Sequence, residues 1–225
     1  VSLAHHGVLF LDELAEFDRG VLEVMREPLE SGRILISRAS HQRRFPARFQ
    51  LVAAMNPCPC GYLGDSRRNC SCTPAQIQRY QARLSGPLLD RIDLQVEVPG
   101  LPAEELTSAT PGEASAGVRE RVLAARARQL ARGGLNAHLD THALEAACQL
   151  EDGERQWLAG VLSRLNLSAR AYHRVLRVAL TLSDLIDQDG VQRPQLMEAI
   201  GYRQLDRMMG RDPARLGASS QQRSA

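Results

Sequence analysis

Gly7-Val8-Leu9-Phe10-Leu11-Asp12-Glu13, five uncharged residues ending in two adjacent carboxylates, constrains this chain more than any other stretch. An uncharged run of this length predicts a strand buried on both faces, as inside a parallel sheet. In open α/β sheets ligands sit at the carboxyl ends of strands, so Asp12 and Glu13 fall where chemistry is usually done. Asp12 can hold Mg²⁺, directly or through water, because a hard cation takes oxygen ligands. Glu13 can orient and deprotonate a water aimed at a γ-phosphate. This is the pattern of a Walker B motif. The alternative is a buried strand that meets a solvated acidic turn.

A nucleotide reading meets one obstacle at once. All 28 basic residues are arginine, and a phosphate loop of the form Gly-x-x-x-x-Gly-Lys-Ser/Thr needs a lysine. The chain also opens at Val1 rather than Met, in the approach to a core strand. The expectation is a fragment whose phosphate-binding half lies upstream, inactive by itself. No apolar run nears the ~18 residues of a membrane span, and no signal-peptide layout is visible, so a cytoplasmic location is expected. Net charge of +2 excludes little; its distribution says more.

Asp18 predicts an N-cap for a helix carrying Val21, Leu22, Met25 and Leu29, with Ser31-Gly32 as its stop and Pro28 disturbing its last turn. Residues 33–37 and 45–54 predict two strands around a polar tip. From Ser31 to Gly64 there is no Asp or Glu, yet Arg33, Arg38, Arg43, Arg44 and Arg48 fall within that span, with His41 and Gln42 at the tip. Such a hairpin can track nucleic-acid phosphates; the alternative is a solvated turn. Residues 50–55 read as another buried strand, ending at Asn56, which can hydrogen-bond a γ-phosphate or the attacking water, or cap the strand as an Asx-turn before Pro57.

Cys58 and Cys60, then Cys70 and Cys72 after nine residues, offer two thiolate pairs for a tetrahedral Zn²⁺. Each pair is Cys-x-Cys rather than the commoner Cys-x₂-Cys, and free thiols are the rival reading. Cys148 reads as a small core residue. Thr73-Pro74 opens a helix to about Leu84, and residues 94–98 alternate as a further strand. Arg91, between Asp90 and Asp93, is either a local ion pair or an arginine finger. Residues 99–117 read as a linker. Beyond it the pattern is helical: 119–132, 141–149, 152–165, a longer helix capped by Ser168 with Ala171, Val175, Val178, Leu182 and Leu185 on one face, and 192–199. Residues 208–225 read as a disordered tail.

Five motifs carry a family resemblance: Gly-Val-Leu-Phe-Leu-Asp-Glu-Leu (7–14), Arg-Glu-Pro-Leu-Glu-Ser-Gly (26–32), Phe-Gln-Leu-Val-Ala-Ala-Met-Asn-Pro (49–57), Leu-Ser-Gly-Pro-Leu-Leu-Asp-Arg-Ile-Asp (84–93) and Ser-Ala-Arg-Ala-Tyr-His-Arg-Val-Leu-Arg-Val-Ala (168–179). Together they resemble the carboxyl-terminal part of magnesium-chelatase-like AAA+ ATPases of the ComM/YifB type. The resemblance implies a partial α/β AAA+ P-loop NTPase core over 1–98, a linker over 99–117 and an all-α lid over 118–207. It implies that Asp12 and Glu13 are the Walker B pair, Asn56 sensor 1, Arg91 the arginine finger and Arg170 sensor 2. Arg38, His41, Arg43 and Arg44 would lie on the pre-sensor-1 hairpin, which faces the central pore in related rings. ATP and Mg²⁺ are the implied cofactors, with any zinc structural.

The expected activity is ATP hydrolysis coupled to DNA remodelling in a hexameric ring, as in branch migration during recombination and natural transformation. One alternative is the ATPase subunit of magnesium chelatase, acting on a protein partner. Another is a non-enzymatic zinc-binding nucleic-acid module.

Overall fold

Alternation, not continuous burial, governs the first strand. A computed structural model describes residues 1–38, 41–65, 67–100, 112–165 and 167–203, in two units whose described parts are 1–92 and 93–203. In the first unit, β1 (Val8–Leu11) pairs in parallel with β4 (Gln50–Ala53) as a two-stranded sheet. Leu9, Leu11 and Leu51 pack on a core of Leu14, Leu22, Met25, Leu84, Leu88 and Leu89. Val8 and Phe10 are each 60% exposed. The expected burial on both faces is therefore corrected to one face, because side chains alternate along a strand and only one side has a covering layer here.

The helical run after Asp18 is two short helices, α1 (Arg19–Val24) and α2 (Arg26–Ser31). Asp18 caps the first by accepting from Gly20 and Val21 N–H. Pro28 acts one turn earlier than expected: it has no N–H for the Val24 carbonyl, and the chain breaks at Met25. Gly32 closes α2 at φ 67. A Cβ there would stand 2.7 Å from Arg48 Cγ, so both the left-handed backbone and the close approach require glycine.

β2 (Arg33–Arg38) and β3 (His41–Pro46) form an antiparallel hairpin. The single strand expected over 45–54 is thus divided between β3 and β4, which lie in different sheets. Thr73 and Gln76 form a capping box on α3 (Pro74–Gln81), and Ser85 caps α4 (Gly86–Leu89).

In the second unit, residues 94–98 do not form the expected strand. Gln95 makes one isolated bridge to Arg203, and Leu94, Val96 and Val98 are exposed; an alternating pattern without a partner ladder is not a strand. Residues 101–111 of the expected linker, and the expected tail, lie outside the described residues. Helix α5 (Ser115–Ala131) begins within the segment read as linker. It is followed by α6 (Thr141–Cys148), α7 (Asp152–Arg164), α8 (Ala169–Leu185) and α9 (Arg193–Gly201).

Helix α8 is central and packs against α5, α6, α7 and α9. Ala171, Val175, Leu176, Ala179 and Leu180 are at most 1% exposed, whereas Leu185, expected on the core face, is 37% exposed. The buried face continues to Asp184, whose carboxylate accepts from Arg132 Nη2 at 2.6 Å and Asn136 Nδ2 at 2.8 Å. A buried charge is tolerable only when satisfied in this way. Cys148 is a fully buried core residue, and burial pushes its thiol up to about 12.

Candidate functional site at the carboxyl edge of the parallel strands

Leu11 stands opposite Ala53 in parallel register, so β1 and β4 release their chains at the same edge. Ala54 N–H donates to the Leu11 carbonyl at 2.9 Å, and Leu14 N–H to the Ala54 carbonyl at 2.9 Å. Asp12 and Glu13 lie between these two bonds, both exposed. Asp12 Oδ1 accepts the Glu13 N–H at 2.9 Å. Glu13 itself adopts φ 51 and ψ 47, a left-handed conformation that costs a residue with a Cβ about 1–2 kcal/mol. Buried Leu14 and Ala15 follow directly in a 3₁₀ turn and hold the backbone in that state. Local strain of this kind is concentrated at functional sites.

Asn56 lies three residues beyond β4, at the same edge. Burial, with the nearby Glu16 charge, holds the Tyr80 phenol of α3 above its ordinary range, against the effect of the Asn56 backbone amide. The carbonyl of Pro57 accepts from Gln81 Nε2 at 3.2 Å, so the end of α3 holds the chain next to Asn56.

Arg91 follows α4 and reaches well beyond the acids that flank it in sequence. Its guanidinium, 10% exposed, donates to the Pro87 carbonyl at 2.7 Å and pairs with Glu30 of α2. Arg170 belongs to the second unit, exposed in the first turn of α8. Nearby, Arg174 bridges Asp93 at 2.6 Å and Arg177 donates to the Leu139 carbonyl at 3.1 Å. Burial, then the charge of Arg174, lowers the pKa of Arg177.

The hairpin puts Arg43 opposite Ile36 and Arg44 opposite Leu35, so these arginines are in the ladder rather than at a polar tip. Adjacent strand residues point to opposite faces, and both are exposed. Arg38 and His41 close the ladder as its last pair; their side chains lie outside the described residues.

The four cysteines that sequence spacing groups are together in space. Their sulfurs all lie within 4.8 Å of one another, with Cys58 Sγ 3.4 Å from Cys60 Sγ and 3.6 Å from Cys70 Sγ, and Cys60 Sγ 3.5 Å from Cys70 Sγ. All are free thiols. A tetrahedral Zn²⁺ with Zn–S of about 2.3 Å has sulfur–sulfur edges of about 3.8 Å, so the spacing fits a four-thiolate site. At the first pair Cys-x-Cys suffices because the chain folds tightly after it: Gly61, at φ 82, returns its N–H to the Cys58 carbonyl at 3.0 Å. Amides of Tyr62 and Ser71 bind Cys60 and hold its thiol down to about 5. The Cys72 amide also favours the Cys70 thiolate, but burial and the neighbouring Cys60 and Cys58 sulfurs push Cys70 up to about 12. Four thiolates at this distance need a cation to offset their repulsion.

Tyr80, Gln81 and Gly61 were missed as neighbours of the Asn56–Pro57 segment, and Glu30 as the partner of Arg91. Only Tyr80 left a readable signal, falling three residues after Ile77 on the buried face of a helix opened by a capping box.

Parallel strands that end in Asp-Glu and Asn, followed by a helical unit, define the class, and comparison with known families agrees. Residues 1–106 match the family described as magnesium chelatase, subunit ChlI, and residues 112–203 match magnesium chelatase, subunit ChlI C-terminal. The chain belongs to this magnesium-chelatase-like family, and within it to the ComM/YifB type. It is 52% identical to YifB of Escherichia coli (strain K12) over 213 residues, and 51% identical to the competence protein ComM of Haemophilus influenzae over 212 residues. Each match covers 93% of this chain and 41% of the relative. No helix among the described residues is long and apolar enough to cross a membrane.

Proposed function

We propose that these residues are the Walker B-to-lid portion of an AAA+ ATPase that couples ATP hydrolysis to DNA remodelling, as a ComM-like branch-migration motor in recombination and natural transformation. The observation that carries this reading is the shared edge: parallel pairing sends Asp12, Glu13 and Asn56 out on one side of the sheet. The exposed carboxylates there suit a hard cation. The chain offers no lysine for the phosphates, so a phosphate loop outside these residues completes the site. When bound, Mg·ATP supplies the phosphoryl group and the local positive charge.

In this reading Asp12 holds Mg²⁺, and Glu13 takes a proton from the attacking water. The Asn56 carboxamide orients that water or the γ-phosphate. Arg91 stabilises developing charge at the site of the next subunit of a hexameric ring, and Arg170 senses nucleotide from the lid. Glu30 holds the Arg91 guanidinium until that interface forms. Arg38, His41, Arg43 and Arg44 meet DNA phosphates along the hairpin. Cys58, Cys60, Cys70 and Cys72 hold one Zn²⁺. The location is cytoplasmic.

The exposed Arg43 and Arg44 favour DNA over a protein partner of the magnesium-chelatase kind. Measuring ATP turnover of the complete gene product with and without DNA tests this. Stimulation by DNA that disappears in Glu13→Gln supports the motor. Turnover indifferent to DNA supports the chelatase-type alternative, and no turnover at all supports a non-enzymatic nucleic-acid module.

A further inference from the structure

The four-thiolate centre stands two residues from Asn56, and both of its ends are anchored. Cys58 follows Asn56-Pro57 directly and is fully buried. Cys72 precedes Thr73, the N-cap of α3. The centre therefore joins the segment that leaves β4 to the start of the helix whose Gln81 holds the Pro57 carbonyl, next to Asn56. Between the cysteine pairs, Gly61 turns back toward the asparagine: a Cβ on Gly61 would stand 3.8 Å from Asn56 Oδ1 and 3.9 Å from its Cγ. The same Gly61 donates to the Cys58 carbonyl at 3.0 Å. The loop that carries the sulfurs thus forms one wall of the space around the Asn56 carboxamide.

The strut has no regular structure: residues 54–73 contain no strand and no helix among those described. Its ties between the cysteine pairs are local, with Asp65 accepting from the Arg67 and Arg68 amides and Arg68 Nη1 donating to the Tyr62 hydroxyl at 2.7 Å. A bound metal would fix the two pairs to each other, since metal binding free energy is folding free energy for the segment that carries the ligands.

We infer that zinc bound by Cys58, Cys60, Cys70 and Cys72 is a positioning device for Asn56, setting the carboxamide against the Asp12–Glu13 edge through Gly61 and the start of α3. The inference rests on the zinc reading above and deepens it. Metal loss leaves the helical unit folded and β1 paired with β4, but frees Asn56.

Two measurements test it. Metal analysis of the protein purified under reducing conditions yields one zinc per chain, and Co²⁺ substituted for it shows the thiolate charge-transfer absorption of a four-sulfur site. Less than stoichiometric metal, or no such absorption, overturns the inference. NMR of the Asn56 side-chain carboxamide, with hydrogen exchange as a folding control, before and after zinc removal by a chelator then reads the coupling. The carboxamide resonances shift on metal loss, while the Ala54 amide, which donates to the Leu11 carbonyl, and the amides of Val175 and Leu180 in α8 keep their protection, which shows that neither unit has unfolded. Unchanged Asn56 resonances make the zinc a clamp for its own loop only, and the positioning role is wrong. Cys70→Ser repeats the metal-free state without a chelator and is expected to give the same spectrum and exchange pattern. Both readouts are independent of nucleotide: zinc, cobalt spectrum and carboxamide resonances as expected in a protein that never hydrolyses ATP would uphold this inference while removing the ATPase reading.

Discussion

The two units solve the burial problem in different ways. The helical unit encloses its own core: α8 has neighbours on several sides, and Leu144, Leu158, Leu176, Leu180 and Leu196 are completely buried. The α/β unit leaves one face of its sheet open, with Val8 and Phe10 each 60% exposed while Leu9 and Leu11 face inward. A helix makes its backbone hydrogen bonds within itself, so a helical unit can be complete in a short stretch of chain. A sheet depends on strands and covering layers brought from elsewhere in the sequence. The proposed chemistry lies on the unit that depends on others, and the difference is testable residue by residue.

The largest effects are expected at Glu13 of the shared edge and at Arg91. In the complete gene product, Glu13→Gln should slow ATP hydrolysis by about 10²–10⁴, and Arg91→Ala by about 10³–10⁵. Nucleotide binding should stay near normal in both, as measured by fluorescence titration with an ATP analogue. The 225-residue chain, lacking lysine, should show no turnover of its own; turnover abolished by Glu13→Gln in that chain would contradict the need for an outside phosphate loop.

Next comes the self-contained core. Leu180→Ala removes a side chain that is 0% exposed and should cost about 2–5 kcal/mol in denaturant unfolding of the helical unit. A smaller effect belongs to the hairpin. Arg43→Ala with Arg44→Ala should lower the salt dependence of DNA binding by about 0.9 in log–log slope for each phosphate that is no longer neutralised. A slope equal to that of the parent protein would leave them as solubilising surface. The smallest effect should be Val8→Thr. In this chain the open face should tolerate it within about 0.5 kcal/mol. A destabilisation comparable to that of Leu180→Ala would mean that the sheet face is covered in the chain itself.

The same contrast explains what the sequence made legible. Helix starts were readable because caps are local: Asp18, Thr73 and Ser168 each accept the backbone N–H that their position predicts. Strands at 8–11 and 33–38 fell where expected, but two other runs did not, because a partner decides the outcome. The alternation at 94–98 has only one isolated bridge, between Gln95 and Arg203. The run over 45–54 split because β3 found β2 and β4 found β1. At the candidate edge the residue types Asp12, Glu13 and Asn56 were legible, and the grouping of the four cysteines was too. The left-handed turn at Glu13 and the pairing of Arg91 with Glu30 were not. The first is a backbone state forced by packing of Leu14 and Ala15, and the second joins residues 61 positions apart; neither leaves a local pattern.

The central claim is that Glu13 and Arg91 serve one reaction from two subunits, and mixing tests it most directly. Rings of the complete gene product are assembled from Glu13→Gln and Arg91→Ala subunits in equal amounts, with mixed assembly verified by differential labelling. Each variant alone has every site defective. If Arg91 acts across the interface, some sites in the mixed ring combine an intact Glu13 with an intact Arg91, and ATP turnover rises well above that of either variant. If mixed rings form and remain as inactive as their components, Arg91 acts within its own subunit, and the claim of a shared site is wrong.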